Sequence, residues 1–425
     1  MIARLWRGRT VAQRKLLMSL VFNGATRVPS LLVPLIFLPI FLAGLGADRY
    51  SGLMAALAIG ASAAFLFGGY ASVGIRAIGE AASRGDHRGE ADHFATLLRM
   101  TGGTFLLLSA LIICYAWWSG QHLALLLVML MPIAMSALNA SVDSVRVPYN
   151  EQYVTAAILI GAQVLIYGTA LLFLPFVARN ELTAGLILNG PLILASLVNA
   201  VLMLRQRPYL AKGRSLDVIG PAKRGGMVGL ADGALMAPIS LAVVWLDAVG
   251  PANLSAWFAT VVRLFQMLLT PMLLMLVPIA GYVRSIWVHS DPAKRRNLAR
   301  ASVLAGFGYG LLSATVLALL ISFYVHRVMG LPPPGPLVAL LPMLAMFAAV
   351  TTQKAYAFVA NLVLDAQHLA RWTLLTMMVS MAIALAFSGW LSSFAVITAF
   401  CACCALPLLV IVAWNSGKVG SGEAG

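Results

Sequence analysis

From Leu17 almost to its end the chain is a succession of apolar runs parted by short loops. Most runs reach roughly 20 residues, enough to cross a hydrocarbon core as a helix. No strict apolar–polar alternation runs through them, so they do not read as strands of a membrane barrel. In lipid every backbone N–H and C=O has to be satisfied internally, and continuous apolar runs do that as helices. With 61% hydrophobic and 10% charged residues in 425, and a mean hydropathy of +0.91, the chain carries more apolar surface than a soluble core could hide. The expected class is an all-α polytopic membrane protein.

Twelve transmembrane segments are predicted, near 17–43, 53–78, 94–118, 123–146, 153–177, 183–204, 227–248, 253–278, 298–325, 335–360, 371–390 and 392–414. Assigning alternate loops to one side, starting with the N-terminus, puts 20 loop and terminal Lys/Arg there against only Arg49, Arg179 and Arg327 opposite. The positive-inside rule then makes both termini cytoplasmic. Trp117, Trp118, Trp245 and Trp257 fall near the outer interface, where an aromatic belt is expected. The basic N-terminus, 1–16, reads as an uncleaved signal-anchor, and the outer loops are too short for a folded domain. The net charge of +15 is explained by these loops, and no nucleic-acid partner is expected.

The basic link 205–226 falls midway and separates an N-lobe, 17–204, from a C-lobe, 227–414, followed by a cytoplasmic tail, 415–425. A weak repeat supports two six-helix lobes. The stretch 76–103 and the stretch 284–306 each leave a span at Arg, pass a basic loop holding Asp, and re-enter a span through Leu and Arg to Gly. Duplicated lobes of this kind are a common transporter plan.

Arg27 and Arg263 each sit about ten residues inside an apolar run, roughly 15 Å deep, where a charge costs on the order of 3 kcal/mol. Such a residue faces a wet cavity or a partner of opposite charge. Asn23, Thr26 and Ser30 lie close to the Arg27 face, and Pro29, Pro34 and Pro39 interrupt the same segment. Gln266 lies beside Arg263 on a segment interrupted by Pro271 and Pro278. Freed carbonyls need partners or water, so such helices border a cavity. Guanidinium stays charged, binds phosphate or carboxylate bidentately and is a poor base, so the predicted chemistry is anion binding, not catalysis. Lys354 has the best claim among span-end residues to line a cytoplasmic vestibule. Asp232 is the one acid well inside a span; it reads either as a proton or sodium site or gating partner, or as a structural ion pair with a basic group such as Arg224. Gln163, Tyr167 and Asn189 read as interhelical hydrogen bonds in preference to cavity lining. The stripes Gly60–Ala64–Gly68 and Gly306–Gly310 read as helix packing. Cys401, Cys403 and Cys404 match no metal or redox spacing, and no cofactor is expected beyond possible H+ or Na+ coupling.

The stretch N-x-x-x-R at Asn23–Arg27, then LGADRYSG (45–52) and AFLFGGYASVGIRAIGEAASRGD (64–86), resembles the opening of Wzx-type polysaccharide-biosynthesis flippases of the multidrug/oligosaccharidyl-lipid/polysaccharide superfamily. In that family an "LG…YG" turn follows span 1; here it reads Tyr50-Ser51-Gly52. The stretch GPANLSAWFATVVRLFQMLLTPMLLMLVPIAG (250–281) is similar to the family's span 8. The resemblance implies a V-shaped fold with a cationic central cavity, Arg27 and Arg263 among its arginines, accepting the pyrophosphate of an undecaprenyl-linked glycan. It implies a multi-pass protein of the bacterial inner membrane, a monomer among membrane lipids, with a polysaccharide polymerase and export machinery as possible partners. Alternatives are a multidrug antiporter of the same superfamily, whose cationic drugs would favour acidic cavities, and a membrane polymerase or ligase, which would need a larger outer domain.

Overall fold

The computed structural model describes residues 11–149, 151–173, 179–214, 217–288, 291–335, 340–363, 367–386 and 392–418. Among them the fold is all-helical, with no strand. The helices are α1 (Val11–Ser83), α2 (His87–Trp118), α3 (Leu123–Arg146), α4 (Gln152–Leu172), α5 (Glu181–Gln206), α6 (Ile219–Val249), α7 (Ala252–Val288), α8 (Pro292–Leu320), α9 (Leu341–Val363), α10 (Gln367–Ala386) and α11 (Ser393–Lys418). A short 3-10 helix, Pro208–Lys212, follows α5, and a π-helical turn, Ile321–Val328, extends α8.

α1 is two arms. Gly46 breaks it with φ 78° and ψ 166°, a conformation that is essentially glycine's alone. The apolar stretch Leu32–Ser83 has 52 residues, about 78 Å if straight, more than twice a hydrocarbon core. The break at Gly46 divides this overlong stretch into two shorter helical arms. Eight stretches among the described residues are long and apolar enough to cross a membrane: this one, and those within α2, α3, α4, α5, α7, α8 with its π turn, and α11. Shorter apolar segments lie at Ile239–Val249 and Arg371–Ile383.

Other helix ends follow local chemistry. The Asp86 side chain accepts from the Gly89 N–H at the start of α2, Asn180 from Leu182 at α5, and Asp291 from Lys294 at α8.

The chain forms two compact units. Unit 1 runs to Phe37 and resumes over Ala63–Gly229; unit 2 comprises Leu38–Ser62 and Leu230 onward. The tip of α1, on both sides of Gly46, thus belongs with the second unit.

Small residues set the close helix contacts in each unit, as expected where lipid supplies no hydrophobic drive between helices. In unit 2 a Cβ on Gly306 would lie 2.6 Å from the Ala355 Cβ, and one on Gly310 2.8 Å from the Ala348 carbonyl oxygen. The Gly306–Gly310 stripe is therefore the seam between α8 and α9. Of the Gly60–Ala64–Gly68 stripe, Gly60 and Ala64 are buried and Gly68 is not. Gly68 faces open space, and the close approach falls on its neighbour Gly69, against Gly225 and Gly229 of α6. Phe265 and Phe347 stack in unit 2 with centroids 3.9 Å apart and planes 8° from parallel.

Two tryptophan expectations separate. Trp117 and Trp118 are 87% and 83% exposed, as a belt requires. Trp257 is 1% exposed and packs edge-on against Phe394, so it is a core residue and not part of a belt.

Candidate functional site

α7 enters from a Gly-Pro turn at 250–251 and places Thr260, Arg263 and Gln266 at three-residue spacing, along one side of the helix. Arg263 and Gln266 reach a cavity of ≈ 30 Å³ inside unit 2. Its other walls are Met54, Leu57, Ala58 and Ala61 from the second arm of α1, Val243 from α6, and Ala259 and Val262 from α7. That volume holds a water or two. Among the described residues the walls are apolar except for the half-buried Arg263 guanidinium and the Gln266 amide.

One turn before Arg263, the Thr260 hydroxyl donates to the Ala256 carbonyl at 2.8 Å. Its oxygen is then free to accept from the Tyr50 hydroxyl at 2.9 Å, which fixes Tyr50 as the donor of that bond. Both side chains are fully buried. Tyr50 lies within electrostatic range of Arg263 and of Tyr324 on the π turn. Around it Leu53, Met54, Ala55, Ala56 and Leu57 are all buried, so this length of α1 is enclosed on nearly every side.

The remaining expected site residues distribute as follows. Thr26, in unit 1, is 1% exposed, and its carbonyl accepts from Gln163 Nε2 at 3.2 Å. That bond joins α1 to α4, as read for Gln163. Asn189 instead bonds within its own helix, to the Gly185 carbonyl at 3.2 Å. Arg27, Asn23 and Ser30 stand on α1 and Asp232 on α6, but their side chains lie outside the described residues. Lys354 is buried on α9. Arg263 and Gln266 are therefore the expected residues that the structure brings to one cavity, and Tyr50 is the neighbour that hydropathy alone did not single out.

A second polar cluster, in unit 1, lies at the ends of α2, α3 and α5. Arg146, counted in the sequence as a loop cation, is 1% exposed. Its Nε donates to Asn199 Oδ1 at 3.2 Å, and its Nη1 donates to Gln206 Oε1 at 2.8 Å and Glu151 Oε2 at 2.6 Å. The other Glu151 oxygen accepts from Arg207 at 2.8 Å, and the Arg207 guanidinium lies 4.2 Å from the Tyr149 ring centroid. Tyr149 and Tyr209 both donate to Glu90 Oε2, at 2.7 and 2.9 Å. Burial alone would push the Glu151 carboxyl up, but the bonds from Arg207 and Arg146 hold it below its ordinary value. Burial, with Tyr149 and Glu90 beside it, raises the Tyr209 hydroxyl.

The same cluster changes the reading of the link 205–226. Leu210 is buried with Ile78, Phe94, Val145 and Met203, and the Arg214 N–H donates to Asp92 Oδ1 at 2.6 Å. The link's first part is docked on unit 1 and is not a free tether.

No family model matches the chain, and no curated protein does. Solved structures do. An inward-facing multidrug resistance MATE family transporter of the MOP superfamily superposes with a TM-score of 0.69, at 13% identity, over 95% of this chain and 100% of that one. An outward-facing structure of such a transporter gives 0.62 at 15% identity, over 97% of both chains. The MATE multidrug transporter DinF-BH, in complex with a ligand, gives 0.61 at 15%, over 96% of this chain and 97% of that one. The chain has the fold of these MATE-type membrane transporters along nearly its whole length.

Proposed function

We propose that the chain is a twelve-span exporter that moves an undecaprenyl-pyrophosphate-linked oligosaccharide from the cytoplasmic to the outer leaflet of a bacterial inner membrane. Its lobes, 17–204 and 227–414, would alternate access to a site that receives the anionic head group while the polyprenyl tail stays in lipid. The observation that carries this reading is Arg263 on the wall of an otherwise apolar cavity, with Gln266 beside it. A guanidinium there would repay its desolvation by charge-assisted bonds to a phosphate. The fold supports alternating access, because structures sharing it are described as inward-facing and as outward-facing. The cavity must widen well beyond room for a water or two to admit a pyrophosphate. Arg27 would supply a second cation and Asp232 a proton or sodium site.

A multidrug exporter is the second reading, favoured by the fold-sharing transporters named for that activity, one of them in complex with a ligand. The sign of the cavity argues the other way, since Arg263 repels a cationic drug and the described lining holds no acid. The two readings are separated in proteoliposomes loaded with a fluorescent polyprenyl-pyrophosphate-linked sugar. Arg263→Ala is expected to slow its flipping about 10- to 100-fold, the worth of a charge-assisted bond. Flipping at the unaltered rate would sink the anion reading.

A further inference from the structure

We propose that the tip of α1, Leu38–Ser62, is a lid over the Arg263 cavity, and that the Tyr50–Thr260 hydrogen bond is its latch. The inference rests on the reading of that cavity as a ligand path.

Four observations converge on it. The segment is kinked at Gly46 and belongs with unit 2, while the chain up to Phe37 and that over Ala63–Gly229 belong with unit 1. Its second arm supplies one wall of the cavity, through Met54, Leu57, Ala58 and Ala61. A buried side-chain bond, Tyr50 to Thr260, joins it to α7 one turn from Arg263. Pro34 and Pro39 flank the passage at Phe37–Leu38, and Gly60, Gly68 and Gly69 flank that at Ser62–Ala63. Helices bend at proline and glycine, so both arms can pivot where they change unit.

The bond is well chosen for a latch. It lies between fully buried groups, so it is intact only when the segment is seated. It is one hydrogen bond, modest enough in net terms to be broken during a transport cycle. Its two ends also respond differently to substitution. Tyr50→Phe removes the donor and leaves Thr260 still bonded to Ala256. Thr260→Val strands the Tyr50 hydroxyl in the closed state, which costs more than losing the bond.

The test needs no substrate, so it stands whether or not the flippase reading does. In a chain with Cys114, Cys401, Cys403 and Cys404 replaced, Ala58→Cys places one thiol on the cavity wall. A membrane-impermeant maleimide is applied to right-side-out and to inside-out vesicles. Tyr50→Phe is expected to raise the labelling rate about two- to tenfold from the outer face, and Thr260→Val to raise it further. The double variant is expected to label no faster than Thr260→Val, because both changes break one bond. Unchanged labelling in both single variants, or a rise confined to inside-out vesicles, overturns the proposal.

Discussion

Glu151 carries two guanidinium groups on one carboxylate, and that arrangement decides what its loss would do. Arg146 beneath it is 1% exposed, so removing Glu151 leaves a nearly buried cation short of its counter-charge. Breaking such a pair from one side costs about 3 kcal/mol. Glu151→Ala is therefore expected to lower the thermal unfolding midpoint of the detergent-solubilised protein. Arg146→Lys is expected to lower it nearly as far, because one ammonium cannot reproduce a planar fork that serves Asn199, Gln206 and Glu151 at once. The pH dependence has a definite sign. The folded Glu151 carboxyl titrates below its unfolded value of about 4.3, so its contribution is complete above that pH. It fades as pH falls through the lower folded value. The stability gap between the protein and Glu151→Gln is expected to be flat from pH 7 to 5 and to close only below about pH 4.3. A gap that closes above pH 5 would contradict the assignment.

At the scale of elements, Gly46 and Gly310 are both indispensable, for opposite reasons. Gly46 has nothing within 4 Å of where a Cβ would sit, but its φ of 78° is open only to glycine. Gly46→Ala is expected to cost about 1–3 kcal/mol through backbone strain alone, read as a lower unfolding midpoint. Gly310 has ordinary helical backbone but no space, with the Ala348 carbonyl 2.8 Å from where a Cβ would sit. Backbone cannot yield as a side chain can. Gly310→Leu is expected to separate α8 from α9 and to sharply reduce the yield of monodisperse protein, whereas Gly68→Ala, facing open space, is expected to leave it unchanged. These residues also show what the sequence made legible. The break after the first span falls at Gly46, inside the turn that the family resemblance implied, whereas Tyr50-Ser51-Gly52 is helical. The α8–α9 seam was visible in glycine spacing. Arg146 and Trp257 were misplaced because hydropathy gives depth along a helix and not the direction a side chain faces. Both sit where a loop cation and an interfacial indole would sit, and both turn inward.

At the scale of the whole molecule, the all-α membrane class was legible because lipid leaves a chain little choice, and the fold shared with MATE-type transporters agrees with it. Half of the candidate site was legible for the same reason, since a lone arginine deep in an apolar run demands an explanation. Its lid was not, because Tyr50 meets Thr260 across 210 residues of sequence. The two exporter readings differ in the sign of charge they ask of the Arg263 position. Arg263→Glu keeps a long polar side chain in the cavity and reverses that sign, so it separates the two exporter readings more sharply than truncation does. If the cargo is a polyprenyl pyrophosphate, the reversed charge repels it, and flipping is expected to fall at least as far as in Arg263→Ala. If the cargo is a cationic drug, the same variant replaces repulsion with attraction, and efflux of a fluorescent cation from loaded vesicles would hold or rise. A misfolded variant would also lose flipping without gaining cation efflux, so the Arg263→Glu protein is first required to keep the parent's unfolding midpoint and monodispersity. Loss of lipid-linked sugar flipping, with no gain in cation efflux over empty vesicles, is the outcome expected of a site built for an anion.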